Sequence, residues 1–91
     1  MVVHLRFFAS LRERLRRSEA DWTLPDGATV EELWAALCTA FPELSVLRSS
    51  VTFAVNREYV DRTHRLSSHD EVALIPPIGG GMDVRDSFAA D

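Results

Sequence analysis

Hydrophobic and polar positions alternate from the first residues of this chain. In "VVHLRFF" Val3, Leu5 and Phe7 fall on one side and His4 and Arg6 on the other, which predicts a half-buried strand over residues 2–8. The period then lengthens. In "SLRERLRR" Leu11 and Leu15 stand four apart, and Ser10 with Glu13 has capping-box spacing, so a short helix is expected over residues 11–17. "EADWTL" alternates again through Ala20, Trp22 and Leu24 before the turn residues Pro25, Asp26 and Gly27. The clearest helical pattern is "TVEELWAALCTAF". Thr29 and Glu32 form a second capping box, Val30, Leu33, Trp34, Leu37 and Phe41 share one face, and Pro42 ends the run. "ELSVLRSS" reads as a packed loop with a helical turn near residues 44–47. "VTFAV", "NR" and "EYV" read as a hairpin in which Asn56 takes the positive φ of a tight turn. "EVALI" is apolar on both faces over residues 72–75, the mark of a central strand covered on both sides.

The order strand, short helix, strand, long helix, hairpin, strand predicts an α+β fold. One amphipathic helix covers one face of a sheet, so a mixed sheet of four or five strands beneath the main helix is expected. Residues 1–76 form the domain in this reading, and residues 77–91 a flexible tail.

Composition narrows the functions open to such a domain. At 91 residues and 46% hydrophobic content the chain supports a single small core. A formal charge of −4 argues against binding nucleic acid, whose phosphates demand excess positive charge. All ten basic residues are arginine, so no lysine side chain can accept an isopeptide link. The one cysteine, Cys38, flanks the apolar stripe of the main helix and reads as a core thiol; an internal disulfide is excluded. His4, His64 and His69 lack ligand spacing, and no metal site is expected. In "RERLRR" Glu13 stands four before Arg17, which suits a solvated helix face. No apolar run reaches membrane-spanning length and the opening is too short for a secretory signal, so a cytoplasmic location is expected.

The chemistry lies in "EVALIPPIGGGMDVRDSFAAD". Pro76 and Pro77 fix φ and favour an extended path, a stiff spacer leading away from the last strand. Gly79, Gly80 and Gly81 contribute nothing to packing but suit a backbone threaded into a narrow slot. Tyr59 and Val60 on the hairpin and Ile75 on the last strand are the apolar positions expected to be exposed beside the tail, as a partner surface.

These residues carry a resemblance. "RFFASLRE", "TVEELWAAL", "VTFAVNREYV" and "HDEVALIPPIGGG", within about residues 2–81, are similar to MoaD-like small subunits of molybdopterin synthase, sulfur carriers of the ubiquitin-like β-grasp superfamily. Such carriers usually end in a proline pair, two variable residues and Gly-Gly; Ile78 and Gly79 fall at the variable positions and Gly80 and Gly81 at the last two. The resemblance implies that Gly81 is the reactive position. A MoeB-like adenylating enzyme activates its carboxylate with ATP, sulfur displaces AMP, and the thiocarboxylate delivers sulfur to a pyranopterin held by a MoaE-like large subunit. It implies no catalysis by the carrier alone and no bound cofactor, ATP being consumed by the activating enzyme. His69 stands where such carriers often have a turn glycine. "MDVRDSFAAD" departs from the pattern, since an internal Gly81 has no carboxylate; the expectation is that residues 82–91 are removed by a protease or open a fused region. Related carriers for thiamine or cysteine synthesis, and ubiquitin-like modifiers or interaction modules, share the Gly-Gly ending.

Overall fold

The computed structural model describes residues 1–76. The chain runs β1 (Val2–Phe7), α1 (Ala9–Leu15), β2 (Glu19–Thr23), α2 (Val30–Ala40), a 3-10 helix (Pro42–Ser50), β3 (Thr52–Val55), β4 (Glu58–Val60) and β5 (Glu71–Ile75). The five strands form one sheet in the order β2-β1-β5-β3-β4. It is mixed: β1 and β5 are parallel, with Leu5 opposite Val72 and Phe7 opposite Leu74, while the other pairs are antiparallel.

Alternation in the strands decides what lies under α2. Val3, Leu5 and Phe7 from β1, Phe53 and Val55 from β3, and Val72 and Leu74 from β5 share a core with Val30, Leu33, Trp34 and Leu37 of α2. Trp34 meets Phe53 edge-on, their ring centres 5.9 Å apart. From the 3-10 helix Leu44 enters this core, while Val46 beside it is exposed.

The two capping boxes read from sequence part ways. At Thr29 the box is complete: Glu32 N donates to Thr29 Oγ1 at 3.2 Å and Thr29 N donates to Glu32 Oε1 at 3.3 Å. The polar loop after β4 finishes the capping, since Val30 N donates to the His64 carbonyl at 3.0 Å and Glu31 N to the Arg62 carbonyl at 2.9 Å. At α1 the expected box is absent, because the helix begins earlier. Phe8 N stays bonded to the Leu74 carbonyl at 3.3 Å while the Phe8 carbonyl accepts from Leu11 N at 3.1 Å, so Phe8 is the cap and Ser10 lies inside the first turn. The helix also ends sooner, at Arg16 in the left-handed region (φ 56°). Arg17 therefore leaves the face it would share with Glu13, and its guanidinium lies 5.7 Å from the Phe41 ring centre instead.

Both central residues of the β3–β4 turn, Asn56 (φ 50°) and Arg57 (φ 70°), are left-handed, as the twist of a two-residue hairpin loop requires. His69 is left-handed too (φ 69°) and its N–H donates to the Val2 carbonyl at 2.7 Å, which explains why a glycine suits this turn.

Candidate functional site

β5 carries the chain through the middle of the sheet to the site. Val72, Ala73, Leu74 and Ile75 are all at most 3% exposed, as a strand covered on both sides must be. Its last ladder partner is Thr52, opposite Ile75; Pro76, which has no N–H to continue the ladder, is itself buried. Pro76 thus belongs to the body of the domain. Pro77, Ile78, Gly79, Gly80 and Gly81 lie outside the described residues.

The face of the sheet away from α2 is organised around β5. One row crosses it from Arg6 through Ala73 and Ala54 to Tyr59, each opposite the next in the ladder. Ala54, Ala73 and Ile75 form a second apolar cluster, with Phe8 packed against it. Alanines directly opposite one another keep this centre low, while Tyr59 at its margin is 45% exposed. On the β1 side the Arg6 guanidinium lies 5.3 Å from the Phe8 ring centre and 3.5 Å from the Glu71 carboxylate. Towards the far end the face turns polar: His4 Nδ1 is 2.6 Å from Asp21 Oδ1, and the His4 and His69 rings stack 5.9 Å apart. The histidines are therefore less scattered than the sequence implied. Among the described residues no three His, Cys, Asp or Glu side chains are grouped to hold a metal ion.

The three apolar positions singled out from sequence do not share one face. Tyr59 and Ile75 belong to this second face. Val60 is opposite Phe53 and packs against the main core. Ile75 is buried, against the expectation of exposure, because Phe8 and the two alanines close around it. Phe8 was the residue sequence reasoning passed over. Its signal was present in the pair Phe7–Phe8, where consecutive aromatics on a strand must point to opposite faces.

A recess of about 390 Å³ lies between the β3–β4 hairpin and the loop before β5, lined by residues including Asn56, His64, Arg65 and Asp70. Its polar groups are engaged internally: Asn56 Nδ2 donates to Asp70 Oδ1 at 3.0 Å, and Arg65 Nη1 to the Gly27 carbonyl at 3.0 Å. It sits at the end of the sheet opposite Pro76. The arrangement is a platform, in which β5 ends, buried at Ile75 and Pro76, beside a low apolar surface.

A mixed five-stranded sheet with parallel β1 and β5 and one helix across it is the ubiquitin-like β-grasp. SAMP1 from Haloferax volcanii superposes with a TM-score of 0.78 at 26% identity, covering 89% of this chain and 100% of that one. The chain belongs to the ThiS family, which matches residues 5–81. It is 39% identical over 83 residues to the molybdopterin synthase sulfur carrier subunit of Chlamydomonas reinhardtii, covering 89% of this chain and 100% of the relative. A protein–protein complex of subunits 1 and 2 of molybdopterin-converting factor from Helicobacter pylori contains the same fold, with a TM-score of 0.64 at 23% identity over 89% of this chain and 100% of that one.

Proposed function

We propose that this chain is the sulfur carrier of molybdopterin synthase and works through a thiocarboxylate at Gly81. The observation that carries this reading is where the family match stops: it runs from residue 5 to residue 81, through the glycines, and leaves residues 82–91 beyond it. Removal of those ten residues gives Gly81 a free carboxylate. An oxygen of that carboxylate attacks the α-phosphorus of ATP on a MoeB-like adenylating enzyme, pyrophosphate leaves, and the acyl carbon becomes electrophilic. A sulfide donor then attacks the acyl carbon, the bond to the AMP oxygen breaks, AMP leaves, and Gly81 ends in a thiocarboxylate. The thiocarboxylate sulfur, softer than oxygen, attacks carbon in a pyranopterin held by the large subunit. Gly80 and Gly81 matter because any side chain there would follow the reactive atom into two different enzymes.

The carrier's own contribution is positioning and not catalysis. Pro76, anchored in the body, leaves five residues to Gly81, which reach at most about 17 Å when extended. Docking must therefore bring the second sheet face close to each enzyme's catalytic pocket, and Tyr59 at the margin of that face is the contact exposed to do so. The relative's name as a synthase subunit and the two-subunit Helicobacter complex support a large-subunit partner. The test is reconstitution: chain ending at Gly81 and converted to the thiocarboxylate should yield molybdopterin with the large subunit, and a Gly81→Ala variant should fold but yield none. The 26% identity to SAMP1, a small archaeal modifier, favours one second reading, in which Gly81 is joined to lysines of other proteins. Covalent adducts in place of thiocarboxylate would favour it.

A further inference from the structure

The ten basic residues of this chain are all arginine, and the fold accounts for only some of them. Arg62 lies 5.6 Å and 5.2 Å from the ring centres of Trp34 and Phe53 while its Nη1 donates to Glu31 at 2.9 Å. Arg17 covers Phe41, and Arg65 reaches the Gly27 carbonyl. Stacking and forked donation suit a planar guanidinium, so arginine is expected at these places. Arg12, Arg14, Arg16 and Arg57 are different. They are exposed and make no ion pair with another described residue, so a lysine would serve as well for solvation. One other amine remains in these 91 residues, the α-amino group of Met1, and it is engaged. It donates to the Leu24 carbonyl at 2.7 Å and lies 3.3 Å from the Asp26 carboxylate, at a residue that is partly buried.

This distribution bears on the chemistry of an activated terminus. In an acyl adenylate, a neutral amine attacks the acyl carbon, the bond to the AMP oxygen breaks, AMP departs and a proton is lost, leaving an amide. A lysine with a pKa of about 10.4 exposes a neutral fraction of roughly one in 2,500 at pH 7, enough to compete when copies are crowded. A guanidinium stays protonated and offers no lone pair. We propose that this carrier is an acyl donor whose surface offers no lysine acceptor and whose α-amino group is held in internal contacts, so that an activated Gly81 passes to sulfur and not to a second copy of the chain. The proposal rests on the sulfur-carrier reading for its purpose, but its chemical core is tested apart from it.

The first experiment exposes the full chain to the N-hydroxysuccinimide ester of acetyl-Gly-Gly, a mimic of the activated terminus, and follows intact mass. The native protein should be acylated at least about tenfold more slowly than the urea-unfolded chain, in which Met1 is released. An Arg12→Lys/Arg14→Lys/Arg57→Lys variant should gain up to three acyl groups while folded. Equal native and unfolded rates for the unaltered chain would overturn the proposal. The second experiment incubates the form ending at Gly81 with the adenylating enzyme and ATP, omitting the sulfur donor. Pyrophosphate release without covalent dimers is expected for the unaltered chain, and dimers lighter than two chains by one water for the lysine variant. If the variant forms no more dimer than the unaltered chain, arginine usage is coding preference only and the proposal falls. Absence of pyrophosphate release would instead strike the sulfur-carrier reading, leaving the first experiment to judge amine inertness alone.

Discussion

Thr29 and Ser10 are spelled alike in the sequence, each followed three residues later by a glutamate, and only Thr29 caps a helix. The difference is long-range. Residues 62 and 64 come back to accept the first N–H groups of α2, so its start is fixed at Thr29, whereas the bond from Phe8 N to the Leu74 carbonyl fixes the start of α1 ahead of Ser10. No local pattern could have shown either contact. Thr29→Ala should lower unfolding free energy by about 1 kcal/mol and Ser10→Ala by much less, read from urea midpoints at unchanged slope. His69, held at φ 69°, strains where a glycine would not. His69→Gly should gain up to about 1 kcal/mol, reduced by the lost stack on His4; a loss larger than that would mean that the stack outweighs the strain. Asp61 is the residue whose carboxyl is held below its ordinary 3.8, first by the Thr63 hydroxyl and then by the Thr63 N–H. A depressed folded pKa means that its contribution is present above the unfolded value and lost as pH falls through the folded one. Thr63→Ala should therefore shrink the stability lost on acidification below about pH 4.

Among the elements, β5 was the most legible and the most consequential. Four consecutive apolar residues announced a strand covered on both sides, and both covers are present: the α2 core over Val72 and Leu74, and the second cluster around Ala73 and Ile75. What the run could not announce was the material of the second cover. Alternation places Phe8 on the outer face, yet its packing against the cluster of Ala54, Ala73 and Ile75 follows only once β1 and β5 are known to be parallel neighbours. The same gap misplaced Ile75, because exposure depends on residues that are distant in sequence. Ala54 and Ala73 are opposite one another and both buried, so Ala73→Leu should destabilise by about 1–3 kcal/mol through overpacking. A neutral result would show that the second face is looser than its burial implies.

At the scale of the whole molecule, the domain is a five-stranded sheet with one core under α2 and a second, smaller cluster on its other face. Its core sets the sheet, and the sheet sets where β5 ends, at buried Pro76. The function was legible from the sequence because the proline pair and the glycines sit next to one another in the chain, while the face proposed for docking was not, being assembled from four strands. Tyr59→Ala should leave stability within about 0.5 kcal/mol and weaken binding to the large subunit about tenfold, measured by calorimetry on the same preparation. The most direct test of the central claim is the intact mass of this chain recovered from its native cells. The account predicts a species that ends at Gly81 with one oxygen replaced by sulfur. Recovery only of chain that retains residues 82–91, from cells actively making the cofactor, would contradict it.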